Sequence, residues 1–150
     1  MNRHRAIDKL IWLLIGGFGY GLIEVLWRGY THPSMILLGG VSFLSLMIIQ
    51  QRLARVPLLL RALVGCAVIS ILELITGILV NRILRLGVWD YSLRPFHLLG
   101  QICPLYSIYW LLLSISVLRI LSHFPVTHSN TERRSPWQID ARRRANSKSR

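Results

Sequence analysis

Two carboxylates, Glu24 and Glu73, lie inside long apolar stretches of this 150-residue sequence. An ionised side chain is costly in such surroundings, so each must be hydrogen-bonded, paired with a cation or used by the protein. Arg28 follows Glu24 by four residues, which places both side chains on one face of a helix, where they can form an ion pair. The carboxylates could instead bind a cation, a proton or a polar headgroup, and the sequence alone is compatible with both interpretations.

Glu73 has two kinds of structural partner nearby in the chain. It could pair with Arg82 or Arg85, or it could be hydrogen-bonded by Trp89 and Tyr91. Other polar and aromatic residues are expected at the same depth of the protein as the two carboxylates. The candidate binding or structural cluster is Glu24, Arg28, Thr31, His32, Glu73, Thr76, Asn81, Trp89, Asp90, Tyr91 and Gln101.

Asp90, His32 and His97 each have a structural interpretation beside the functional one. Asp90 can cap an interfacial turn, and the two histidines can be solvated loop residues. Thr31 or Ser34 is available to cap the second predicted helix. If Asp90, His32 and His97 instead belong to a site, they are expected to lie with the two carboxylates on the outer side of the membrane.

The sequence carries no catalytic or nucleotide-binding motif. HExxH, GxSxG, CxxC and the P-loop are all absent. The two cysteines, Cys66 and Cys103, lie in apolar stretches without ligand-like spacing and are expected to be buried and inert. We therefore expect no enzymatic activity, no metal site and no cofactor. Any ATPase that drives this protein must be a separate polypeptide.

The composition indicates an integral membrane protein. Hydrophobic residues make up 53% of the chain and charged residues only 16%, against about 45–50% and about 25% in soluble domains. The apolar residues form blocks close to the roughly 20 residues that cross a bilayer as a helix. We predict an all-α fold, a four-helix membrane bundle with an interfacial segment between helices 3 and 4. The helices are predicted at residues 10–28, 34–50, 57–80 and 96–121.

Glycine and proline positions refine this bundle. Gly17 and Gly21 form a GxxxG pair in the first helix, and Gly39 and Gly40 give the second helix a thin face. Small residues of this kind allow neighbouring membrane helices to approach closely. Pro104 falls inside the fourth predicted helix, where a proline is expected to kink the chain.

The net charge of +12 follows a membrane topology rather than a nucleic-acid-binding pattern. Lys and Arg concentrate in a basic N-terminus at 1–9, in the loop between the second and third helices, and in a tail at 122–150 that is predicted to be disordered. The positive-inside rule then places both termini in the cytoplasm. The tail is expected to contact anionic lipids, and nucleic acid is not an expected partner. The expected location is the bacterial cytoplasmic (inner) membrane.

Several motifs resemble one family of small bacterial membrane proteins. They are Gly19-Tyr20-Gly21-x-x-Glu24, Trp27-Arg28-Gly29-Tyr30-Thr31-His32, Glu73-x-x-Thr76-Gly77 and Val88-Trp89-Asp90-Tyr91-Ser92. The resemblance is to the putative ABC-transporter type IV family, which is permease-like. It covers roughly residues 10–115 and leaves the tail outside. It implies a transporter subunit that works with partner proteins, such as a separate ATPase, or as a homo-oligomer.

Two other functions fit the same residues. A non-transport scaffold of the envelope, or a holin-like oligomeric membrane protein, would depend on its helix faces and tail and would tolerate changes at Glu24 and Glu73. A lipid-headgroup enzyme would depend on His32 or Asp90. Loss of function without misfolding in the Glu-to-Gln variants would favour transport.

Overall fold

The chain folds into four long helices, which confirms the predicted all-α membrane bundle. The computed structural model describes residues 3–123, with side chains from residue 7 onward. The helices are α1 (Arg3–Arg28), α2 (Pro33–Arg52), α3 (Leu58–Gly77) and α4 (Pro104–His123), and a π-helical turn, Ile78–Ile83, extends α3. Each of the four is long and apolar enough to cross a membrane. The predicted tail at 122–150 lies almost wholly outside the described residues.

α1 and α2 pack against each other along most of their length because glycines line their contact. A Cβ atom on Gly17 would lie 2.5 Å from the carbonyl oxygen of Ile36, and one on Gly40 would lie 2.5 Å from that of Leu13. Backbone cannot yield to a side chain at such distances, so any larger residue would push the helices apart. The glycines that lie in this contact are Gly16 and the four predicted ones, Gly17, Gly21, Gly39 and Gly40.

α3 packs along α4, and α2 contacts both of them, so α2 joins the two helix pairs. One apolar core, which includes Leu46, Ile69 and Leu118, lies among these three helices. A second core lies at the end of the bundle where α1 and α3 finish. We call this end of the bundle the cluster end. Tyr20 on α1 packs against both cores. α2 and Tyr20 therefore contribute to holding α1 against the other helices.

The fourth helix begins later than predicted. Pro104 is its first residue, not an interior residue that kinks it, because a proline lacks the N–H that an interior position must donate and fits the first turn. The preceding residues cannot be helical, since Phe96 and Leu99 have φ values of 57° and 55°. The prediction of a helix from residue 96 was therefore wrong, and residues 84–103 form an irregular segment.

The third helix ends later than predicted, because the π-helical turn continues it to Ile83. Asn81 and Arg82 thus lie on the helical extension rather than on a separate interfacial stretch. At the other end of the bundle, Arg61 in the first turn of α3 is buried, and its guanidinium donates a hydrogen bond to the Gln50 side chain on α2 at 2.5 Å.

Candidate functional site

The predicted ion pair between Glu24 and Arg28 is present at the end of α1. Their closest nitrogen and oxygen lie 3.1 Å apart, and Glu24 is only 4% exposed. Thr31 donates a hydrogen bond from its hydroxyl to the other Glu24 oxygen at 2.5 Å. Arg28 also donates to the backbone oxygen of Val88 at 2.8 Å. The pair therefore neutralises a buried carboxylate and fastens α1 to residues 84–103.

Glu73 is completely buried and has neutral partners. The Tyr91 hydroxyl donates to one of its carboxylate oxygens at 3.0 Å, and the Trp110 indole donates to the other at 2.8 Å. Among the side chains of residues 7–123, no arginine, lysine or histidine pairs with it. Of the two structural alternatives, the structure has the hydrogen bond from Tyr91 and not the ion pair, since Arg82 and Arg85 are exposed.

Trp110 is the residue of this site that sequence reasoning missed. It lies 37 residues from Glu73 in the chain, beyond any local spacing rule. One signal could have revealed it. Membrane tryptophans favour the interface, and a buried indole N–H needs a partner, whereas Trp110 lies near the middle of the span predicted at residues 96–121. The expected partner Trp89 bonds elsewhere, to the backbone oxygen of Gln101 at 3.1 Å.

Asn81 and Gln101 join residues 84–103 to the end of α3. The Asn81 amide nitrogen donates to the Gln101 side-chain oxygen at 2.8 Å, and its oxygen accepts from the Val88 backbone N–H at 2.7 Å. Gln101 is 4% exposed, and Gly77 leaves the space that it fills, since a Cβ there would meet Gln101 and Trp89. These predicted site residues therefore hold the segment to the helix.

Tyr91 is the residue of this segment that reaches Glu73. Its ring stacks on that of Tyr106 with centroids 4.3 Å apart. Burial, together with the nearby Glu73 carboxylate, raises the pKa of the Tyr91 hydroxyl. Tyr91 is thus a neutral hydrogen-bond donor to the carboxylate.

Three members of the predicted cluster make no hydrogen bond to either carboxylate in the described part of the chain. Asp90 is exposed and accepts bonds from the backbone N–H and hydroxyl of Ser92 at 2.8 and 2.5 Å, which lower the pKa of its carboxyl. His32 accepts the Ser34 backbone N–H at 3.2 Å and so caps α2, where Thr31 or Ser34 was the expected cap. Thr76 is half-buried and has no side-chain hydrogen bond in the described part of the chain.

His97 and the two cysteines also have structural roles. The His97 ring accepts the Gly100 backbone N–H at 3.1 Å, which closes a tight turn before α4. Cys66 donates its thiol to the Ser107 backbone oxygen, joining α3 to α4, and Cys103 is buried. Among residues 3–123 no group of three or more His, Cys, Asp or Glu side chains could hold a metal ion.

Comparison with known families decides which kind of protein carries this bundle. Residues 11–139 match the model of the family described as Putative ABC-transporter type IV. The chain belongs to this family. Neither the curated proteins nor the solved structures gave a match. The match reaches residue 139, so the expectation that the whole tail lies outside the family was wrong.

As a member of this ABC-transporter family, the chain is a membrane protein of transporter type. The motifs that carried the resemblance occupy the cluster end: the end of α1, the end of α3 and residues 88–92. This end therefore contains two carboxylates in different surroundings. Glu24 is paired with the Arg28 guanidinium, and Glu73 accepts hydrogen bonds from neutral donors only.

Proposed function

We propose that this chain is a permease-like membrane subunit of an ATP-driven transport system, working with a separate ATPase subunit either as a single copy or as an oligomer. One observation carries the proposal beyond family membership. Glu73 is completely buried in a membrane-spanning bundle and is bonded by neutral donors only. Burying an ionisable side chain in a membrane-spanning segment costs free energy, and residues of this kind typically belong to substrate or ion pathways.

The small size of the bundle supports a partner. In no span is more than 44% of the apolar window buried within the chain. Much of each helix is therefore free to contact lipid or another subunit, and four helices of about 20 residues enclose little space for a translocation path. The sequence has no P-loop, so ATP hydrolysis would come from the partner. The proposal assigns no catalytic chemistry to this chain.

The orientation follows from charge. With both termini cytoplasmic, the basic N-terminus, the loop at 53–57 and the tail face the cytoplasm, as the positive-inside rule requires. The cluster end then faces outward. The loop at 53–57, together with the basic N-terminus and tail, forms the cytoplasmic surface that an ATPase would bind, and the tail contacts anionic lipids of the bacterial inner membrane.

The orientation can be tested with Leu93→Cys, since Leu93 is 99% exposed. In a Cys66→Ser, Cys103→Ala background it should react with a membrane-impermeant maleimide in intact spheroplasts.

Purification from native membranes tests the assembly. The full chain should copurify in a fixed ratio with a protein that contains a P-loop, and ATP hydrolysis by that complex should change when this chain is removed. Glu73→Gln should alter the hydrolysis rate while leaving the complex intact. A homo-oligomer that assembles and functions without an ATPase would overturn the proposal in favour of the scaffold or holin-like alternative.

A further inference from the structure

Arg61, in the first turn of α3, is a buried cation whose bonding is incomplete. Only 9% of the residue is exposed, and its one side-chain partner is the neutral Gln50 amide, which accepts from Nη1. Nε is enclosed and has no hydrogen-bond partner among the described residues. The other terminal nitrogen, Nη2, makes no hydrogen bond to the described chain either, but it is not enclosed. Nη2 is therefore the donor that a ligand can reach.

The described chain provides no anion for this guanidinium. The ion pair of Glu24 with Arg28 is the only salt bridge formed by the side chains of residues 7–123. Glu73 and Asp90 lie toward the cluster end, and Asp8, near the start of α1, is exposed. The lysine and the other arginines of the same range are exposed, apart from the partly buried Arg28. The buried guanidinium of α3 is thus a cation without a counter-charge from residues 7–123.

The neighbouring helix ends supply no net counter-charge. α2 ends at Arg52 and α3 begins at Leu58, and no side chain caps the first turn of α3. The negative end of the α2 dipole and the positive end of the α3 dipole therefore lie at the same end of the bundle and offset each other. A buried charge needs a partner or a full set of hydrogen bonds. The counter-charge must come from outside residues 7–123.

The depth of Arg61 in the bilayer identifies the source of that anion. The helix Leu58–Ile83 has 26 residues, which span about 39 Å at about 1.5 Å per residue, and a hydrocarbon core is about 30 Å thick. Each end of this helix then extends about 4–5 Å into the headgroup layer. Arg61 lies about 4.5 Å from the start of the helix, and so at the boundary between hydrocarbon and headgroups. Lipid phosphate is the anion that a bilayer offers at this depth.

The surroundings of Arg61 also favour a lipid over a partner protein. Leu59 and Leu60 are 58% and 51% exposed, so the first turn of α3 presents apolar side chains to the bilayer. Arg52 and Arg55, at the end of α2 and in the loop that follows, are exposed, and basic residues beside a membrane helix attract anionic lipids. A zwitterionic lipid neutralises its own phosphate with an ammonium group, whereas phosphatidylglycerol does not.

We propose that the end of α2 and the start of α3 form a binding site for one anionic phospholipid, whose phosphate accepts a hydrogen bond from Nη2 of Arg61. Gln50 holds the guanidinium in position from α2, and the acyl chains lie along the exposed leucines of α3. The lipid belongs to the leaflet in which α3 begins, which is the cytoplasmic leaflet in the proposed orientation. This site goes beyond the proposed function and requires no ATPase.

Native mass spectrometry of the full chain, delipidated in a neutral detergent, tests the site. The protein is titrated with phosphatidylglycerol or with phosphatidylcholine of the same acyl chains. The dissociation constant should be about tenfold lower for phosphatidylglycerol, as one hydrogen bond to a charged group predicts. Arg61→Met should abolish this preference, whereas Arg119→Met, at an exposed arginine on α4, should retain it. Equal binding of both lipids by the unmodified chain would overturn the lipid site and favour a carboxylate of a partner subunit.

Gln50→Glu gives the guanidinium a carboxylate from within the protein and changes the side-chain shape very little. It should abolish the preference for phosphatidylglycerol and raise the unfolding temperature in lipid-free detergent. Gln51→Glu is the matched control, since it adds the same charge at the exposed neighbouring position, and it should retain the preference. Gln50→Glu strengthens a contact, so its result holds even if Arg61→Met fails to fold. A preference that persists in Gln50→Glu would overturn the assignment to Arg61.

Two further measurements distinguish the lipid from other anions. Excess inorganic phosphate should leave phosphatidylglycerol bound, and displacement by it would assign the site to a soluble anion instead. Glu132 and Asp140, in the tail, are the two carboxylates of the sequence that lie outside the described residues. The preference should be unchanged in Glu132→Gln, Asp140→Asn. A preference found only in this double variant would show that a tail carboxylate occupies the site, and would overturn the proposal.

Discussion

The indole N–H of Trp110 donates a hydrogen bond to the carboxylate of Glu73 at 2.8 Å, joining the last turns of α3 to the second turn of α4. Both side chains are buried. Together with the Tyr91 hydroxyl, this contact satisfies both oxygens of a carboxyl group that has no cation beside it among the described residues. The stability of the α3–α4 pair should therefore depend on the donor of Trp110.

Trp110→Phe should lower stability because it keeps most of the ring volume but removes this donor. Leaving one buried carboxylate oxygen without its partner should cost about 1–3 kcal/mol. Thermal unfolding of the detergent-solubilised protein measures the loss. Trp12→Phe is the matched control, since Trp12 stacks on Phe43 with centroids 6.0 Å apart and its indole makes no hydrogen bond in the described structure. Equal loss in the two variants would show that ring packing alone matters.

Glu73→Gln should abolish transport while the protein still folds. The amide oxygen can accept from one donor, but its NH₂ group faces the other donor, so a modest loss of about 1–2 kcal/mol is expected. Tyr91→Phe provides the comparison, because it also removes one hydrogen bond but keeps the carboxylate. Transport should survive in Tyr91→Phe and fail in Glu73→Gln at equal abundance in the membrane. Parallel losses of abundance and transport in both would instead assign Glu73 a purely structural role.

Removing Arg28 should be more harmful than removing the whole ion pair. Arg28→Met leaves Glu24 buried and unpaired, which costs up to about 3–5 kcal/mol for a fully buried pair and less here, since the arginine side chain is 22% exposed. Glu24→Gln in the same protein should recover much of that loss. A double-mutant cycle on unfolding free energies measures the coupling. Additive effects of the two changes would show that the pair contributes nothing.

Stability should depend weakly on Asp90 at acidic pH. The Ser92 hydroxyl and backbone N–H lower the pKa of the Asp90 carboxyl in the folded protein. The ionised group therefore stabilises the fold above the ordinary aspartate pKa of about 3.9, and the contribution disappears as the pH falls through the lower folded value. Unfolding temperatures measured between neutral and strongly acidic pH should show this small decline. The decline should be reduced in Ser92→Ala, and a pH profile identical to that of the unmodified chain would contradict the assignment.

Local patterns in the sequence predicted most of the fold. Long apolar blocks predicted four helices, and the four-residue spacing of Glu24 and Arg28 predicted their ion pair, because both signals act within one helix. Glycine spacing likewise indicated which faces of α1 and α2 could approach closely. These features require no knowledge of distant contacts.

Contacts between distant parts of the chain were harder to predict. Nothing near Glu73 in the sequence indicates Trp110, and the irregular segment at 84–103 departs from propensity because its form is set by bonds to Asn81 and Gln101. Its apolar residues resembled the start of a helix, yet Leu99 adopts a left-handed conformation. Pro104 was placed correctly inside the apolar block but interpreted wrongly, since a proline fits a first turn as well as a kink.

The separation of Glu73 from Trp110 also determines the order of assembly. Glu24 can pair with Arg28 as soon as α1 enters the bilayer, because both lie on one helix. Glu73 leaves the ribosome ahead of both donors, because Tyr91 and Trp110 follow it by 18 and 37 residues in the chain. Insertion of α3 must therefore precede the formation of its polar contacts. We therefore expect the protein to need a membrane insertase or chaperone most while α3 is inserted but Glu73 has not yet met its hydrogen-bond donors.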